Sequence, residues 1–131
     1  MKHSDETFMI IENKKGIVKV YVDDIVYVDS FSRKVFFYTE KGDFSEYGKL
    51  DHIEEGLNDS FYRCHKRCLV NLDKIRLLED NKVLFENGME IGMCKEKFQK
   101  LKQVYKGYMI RKETYRNHIS IRWYYYNKNL L

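Results

Sequence analysis

Apolar and polar residues alternate along this chain in runs that Gly, Asn or Asp cut off within a few positions, and no other feature limits its fold as much. Period-two alternation belongs to strands, because successive side chains of an extended backbone point to opposite faces. Phe8 to Ile11 is broken by Asn13-Lys14-Lys15-Gly16 and resumes at Ile17, Val18, Val20 and Val22, which reads as a hairpin. After Asp23-Asp24 come Ile25 to Val28, a polar break from Asp29 to Lys34, Val35 to Thr39, a turn at Lys41-Gly42, and Phe44 to Tyr47. Further on, Ile75 to Leu78 and Val83 to Glu86 flank Asn81, and Asn87-Gly88 is the strongest two-residue hairpin signal, leading into Met89 to Met93. Strand upon strand excludes the alternating strands and helices of a phosphoreceiver domain, so Asp23-Asp24 reads as a turn.

Helical patterning is brief. Leu50, Ile53 and Leu57 recur at i, i+3 and i+7, with Asn58-Asp59-Ser60 closing the segment, and predict two turns of amphipathic helix. Phe98, Leu101 and Val104 share a face in a second segment, Lys95 to Tyr105. The expected fold is mainly β, short antiparallel hairpins with one or two short helices. One body, residues 1–105, carries a basic aromatic extension, residues 106–131.

The chain has 131 residues, enough for one domain that buries roughly two thirds of its unfolded surface. Its three cysteines, Cys64, Cys68 and Cys94, are an odd number, no leader pattern precedes Thr7, and no apolar run approaches the roughly 18 residues of a membrane span. A cytoplasmic, reduced protein without a membrane segment is expected. The net charge of +4 is uneven: from Tyr105 onward six cations face Glu113 alone, so the body before it carries −1. Within the body, Asp51, Glu54, Glu55 and Asp59 lie just upstream of the most basic stretch, which polarises the local field.

That stretch is Phe61-Tyr62-Arg63-Cys64-His65-Lys66-Arg67-Cys68-Leu69-Val70-Asn71, followed by Leu72-Asp73-Lys74-Ile75. Phe61 and Leu69-Val70 are core anchors. Between them Arg63, His65, Lys66 and Arg67 crowd together, and so much positive charge in so short a span calls for an anion. With Asn71 and Ile75 at their spacing, the run resembles the core signature of the LytTR family of bacterial DNA-binding domains. The resemblance extends over about residues 7–105, taking in Asp23-Asp24-Ile25, Tyr47-Gly48, the short helix, Asn87-Gly88 and the segment opening near Cys94-Lys95. Two departures stand out: Arg67 and Cys94 occupy positions where the family often has Ser, a small hydroxyl donor to phosphate.

The resemblance implies an elongated, β-sandwich-like fold whose loops read promoter DNA in two consecutive major grooves. It places DNA contacts at Ser32, Arg33 and Lys34 in the first loop, at Lys66 and Arg67 in the signature, and at Lys95; His65 is a further candidate for DNA contact, and Lys97 and Lys82 are weaker candidates for phosphate. Long cationic side chains suit this work, since they reach guanine N7 and O6 from outside the groove. It further implies promoter repeats as the target, a homodimer on DNA, and a receiver or sensor partner elsewhere. Composition alone keeps blander readings in play. Arg33 and Lys34 also suit a solvated hairpin loop, His65 a structural histidine bonding backbone, Lys95 the polar start of a helix, and Asn71 a turn.

Other chemistries find less support. Cys64, His65, Cys68 and Cys94 lack the paired two-residue spacing of a zinc site, so no metal or cofactor is expected. Neighbouring cations favour a thiolate at Cys64 and Cys68, against which stands the ordinary buried, inert thiol. No Gly-rich phosphate loop, nucleophile elbow or carboxylate pair supports an enzyme. Ile119, Ile121, Trp123 and Tyr125 alternate with Ser120, Arg122, Tyr124 and Tyr126, compatible with an added strand, a protein-interaction surface acting through the tail, or single-strand stacking.

Overall fold

The computed structural model describes residues 7–115, so Ile119 to Tyr126 lie outside the described residues. Strands β1 (Phe8–Asn13) and β2 (Gly16–Tyr21) form a hairpin of their own. A single 3-10 turn, Val22–Asp24, then takes up the Asp23-Asp24 pair and leads into the central sheet. That sheet comprises β3 (Ile25–Phe31), β4 (Lys34–Thr39), β5 (Gly42–Tyr47), β6 (Phe61–His65) and β7 (Cys68–Asn71), in the spatial order β5-β4-β3-β7-β6. Between β5 on one edge and β6 on the other, the chain crosses over through helix α1 (Leu50–Glu55). Strands β8 (Ile75–Glu79), β9 (Lys82–Phe85) and β10 (Glu90–Gly92) make a second small sheet, and helix α2 (Lys95–Tyr115) follows. All pairings are antiparallel.

The central sheet buries both faces, one against each flanking layer. Val28, Val35, Phe37 and Leu69 pack with Ile11 and Val20 of the hairpin and with Leu50 and Ile53 of α1. On the other face, Cys64 and Val70 meet Val83 and Phe85 of the small sheet and Leu101 of α2. A bulge between Ile25 and Tyr27 makes this possible in β3. It shifts the alternation so that Ile25 and Val28 enter the first core while Val26 and Tyr27 enter the second, which explains an unbroken apolar run where a strand would otherwise alternate. Tyr27 stacks on Tyr38 at 4.5 Å and on Phe85 at 5.5 Å, tying the two sheets together. Burial, with the neighbouring Tyr38 adding to it, pushes its hydroxyl up to about 12.

Asn71 closes this frame. Its side-chain amide donates to the Ile25 carbonyl at 2.8 Å, while its carbonyl oxygen accepts from the Asp73 N–H at 3.1 Å and caps the 3-10 turn Leu72–Lys74. It thus joins the start of β3 to the end of β7 as well as satisfying its own turn.

Three expectations shift. The polar break at Asp29 does not end β3, because its backbone is paired on both sides, Asp29 with Phe36 of β4 and with Cys68 of β7. Ladder bonds prevail there over side-chain polarity, and the turn shrinks to Ser32-Arg33. At Asn87-Gly88 the connection is wider than a two-residue turn: Phe85 N–H donates to Met89 O and Gly88 N–H to Phe85 O, around Gly88 at φ +94°. Finally, α2 runs on past Tyr105 to Tyr115. The continuation is held by Tyr108, which packs against the second core and donates from Oη to Asp73 Oδ1 at 2.9 Å, and by Lys112 Nζ, which reaches the same oxygen at 2.6 Å.

Candidate nucleic-acid interface

Two turns project from one end of the central sheet. Because β3 pairs antiparallel with β7, with Asp29 opposite Cys68, the β3–β4 turn and the β6–β7 turn emerge side by side. The Ser30 N–H donates to the Arg67 carbonyl at 2.9 Å and ties the two turns together. Ser32, Arg33, His65, Lys66 and Arg67 are all exposed there. Lys34 is half-buried, its ammonium 5.2 Å from the centre of the Tyr47 ring.

The β3–β4 turn is backbone-strained. Ser32 and Arg33 have φ of +52° and +67°, both left-handed, which makes a tight two-residue turn matching the twist of its strands. Gly and Asn take these angles easily, whereas a residue with a longer side chain pays about 1 kcal/mol or more. The Arg33 carbonyl accepts the Gly48 N–H at 3.1 Å, so the backbone is anchored while the side chain is exposed. Asp80 and Asn81, φ +54° and +61°, form the same kind of turn between β8 and β9, but there the residues are ones that tolerate it.

The β6–β7 turn is braced from within. Arg63 Nε donates to the His65 carbonyl at 3.1 Å and Nη2 to the Lys66 carbonyl at 2.5 Å, while Nη1 bonds Asp51 Oδ1 at 3.0 Å and Glu54 Oε1 at 2.8 Å. The acidic patch is therefore one anion that this basic stretch requires. Arg63 is a residue whose placement the sequence reading missed, although Asp51 and Glu54, three apart on one face of a short helix, signalled a cation to receive. His65 Nδ1 accepts the Arg67 N–H at 3.1 Å, a structural contact within the turn.

Beyond the turn lies α2, packed against β6. Lys95 is exposed in its first turn and Lys97 is half-buried. The Cys64 thiol donates to the Cys68 carbonyl at 3.6 Å. The Cys64 thiol is held below its ordinary range chiefly by its hydrogen bond with the Cys68 thiol, which outweighs the upward push of burial. Cys68 is pushed up in turn by that hydrogen bond and by burial. Cys64 is buried, Cys68 half-buried and Cys94 exposed. Among the described residues no group of three or more His, Cys, Asp or Glu is placed to hold a metal ion, and no helix is long and apolar enough to cross a membrane.

Along the sheet the β3–β4 and β6–β7 turns are thus neighbours, and α2 packs against β6. Lys82 stands apart on the small sheet, paired with Glu90 at 3.4 Å.

The profile of the LytTr DNA-binding domain matches residues 15–106. No curated protein matches the chain. Among solved structures, the LytTr DNA-binding domain of a putative methyl-accepting/DNA response regulator from Bacillus cereus is similar, with a TM-score of 0.60 and 19% identity over 82% of this chain and 96% of that one. At that identity the likeness is one of fold.

Proposed function

Since the chain belongs to the LytTr DNA-binding domain family, we propose that it reads duplex DNA by sequence and thereby regulates bacterial transcription. Arg33 and Lys95 lead the entry into two successive major grooves, and Lys66 and Arg67 join them in reading base edges. Ser32, Lys34, His65 and Lys97 fix its register on the phosphates. Residues 1–105 carry the contact, with 106–131 an extension to it. Two copies on repeated sites, governed by a receiver or sensor partner, would lengthen the footprint.

The observation that supports this reading is that the two turns carrying Arg33, Lys66 and Arg67 emerge side by side, tied by the bond from Ser30 N–H to the Arg67 carbonyl, with all three side chains exposed. Extended Arg and Lys side chains on such turns add reach toward successive major grooves, roughly 34 Å apart. A helix is not needed to enter the groove when turns held this firmly present side chains of such length.

The test begins with selection of bound duplexes from a random pool. Lys66→Ala is expected to cost about 1–3 kcal/mol on the selected duplex and to relax base preference, because it loses contacts to base edges. Lys97→Ala should weaken selected and random duplexes alike, as a phosphate contact does. Gel shift on both duplexes measures this, and equal losses for Lys66→Ala would remove it from base reading.

A further inference from the structure

Arg63 stands in the most basic stretch of the chain yet turns its donors inward. We propose that it is a positioning residue for DNA reading, resting on the function proposed above: it ties the β6–β7 turn to α1 and so fixes the direction of Lys66 and Arg67 without contacting DNA itself.

The geometry is that of a brace. One planar guanidinium holds the carbonyls of two consecutive residues, His65 and Lys66, at 3.1 and 2.5 Å. Fixing two peptide planes in one turn fixes the Cα–Cβ directions of the residues that follow them. The same plane is held on its far side by Asp51 and Glu54, at 3.0 and 2.8 Å. Those two residues sit on α1, whose Leu50 and Ile53 are embedded in the first core, so the turn is referenced to the folded body rather than to its own flexible ends. Two carboxylates also answer the Arg63 charge, which makes it a poor phosphate ligand. Lysine could supply the charge but not the fork, since its ammonium is a point donor on a flexible stem.

Three variants separate a brace from a phosphate contact, each measured by gel shift at several salt concentrations on the selected duplex and on a random-sequence duplex of equal length, with circular dichroism reporting the folded fraction. Arg63→Lys is expected to lower the ratio of selected to random affinity about tenfold, with random-duplex affinity and salt slope unchanged. Arg63→Gln should lower the ratio by a similar factor. Asp51→Asn with Glu54→Gln leaves the turn residues intact and releases the brace, so the ratio should fall severalfold; this variant also serves should the Arg63 changes unfold the chain. The proposal is overturned if Arg63→Lys keeps the wild-type ratio, if both Arg63 variants weaken the two duplexes equally, or if the double variant keeps the wild-type ratio. A wild-type chain that discriminates, with variants that do so equally well, removes only the brace; a wild-type chain without discrimination removes the DNA-reading function as well.

Discussion

Exchanging Ser32-Arg33 for Asn-Gly is expected to give a more stable protein that binds DNA poorly. Both residues hold left-handed backbone angles that Asn and Gly adopt with little strain, and Asn-Gly is the preferred pair for this turn. Relief at Arg33, less the greater chain entropy of glycine in the unfolded state, should raise stability by about 1 kcal/mol. The anchoring bond from Gly48 N–H to the residue-33 carbonyl involves backbone only and survives the exchange. What disappears is the exposed cation of the β3–β4 turn. Loss of a base-reading Arg corresponds to about 1–3 kcal/mol, or roughly ten- to hundredfold in affinity for the selected duplex. Urea midpoints and gel shifts on the same preparations measure both quantities. A stabilised variant with undiminished affinity would mean that the strain at Arg33 serves no reading of DNA.

Phe85→Ala should produce the largest loss of stability, about 3–5 kcal/mol. Phe85 is fully buried, stacks on Tyr27 of the central sheet, and packs among Val70, Val83 and Leu101 of three different elements. A loss of that size is a large part of the roughly 5–15 kcal/mol by which a domain is stable. The small sheet and α2 should lose protection from amide hydrogen exchange before the β1–β2 hairpin, whose residues pack in the other core. A loss under 1 kcal/mol would show that the second core closes around the gap.

How far the sequence could be read depended on what kind of interaction decided each element. Where apolar alternation met a local turn signal, as at Asn13-Lys14-Lys15-Gly16 or Lys41-Gly42, the hairpins were legible. Where long-range pairing decided, they were not: β3 persists through Asp29-Ser30-Phe31 because strands flank it on both sides, which no local window contains. The bulge at Val26 hid in an apolar run that alternation alone cannot interpret. The extension of α2 to Tyr115 depends on Asp73, a residue far away in sequence. The same holds for the candidate site. Residue type and family resemblance pointed to exposed cations, but charge counting could not tell Arg63, whose partners are Asp51 and Glu54, from Lys66 and Arg67 beside it.

Guanine N7 methylation interference on the selected duplex tests the proposed groove entry most directly, because N7 lies in the major groove. The expected result is two clusters of interfering guanines on one face of the duplex, about one helical turn or 10 base pairs apart, with Arg33→Ala erasing one cluster and Lys95→Ala the other. A single cluster, or two that vanish together in either variant, would contradict entry into successive grooves by Arg33 and Lys95.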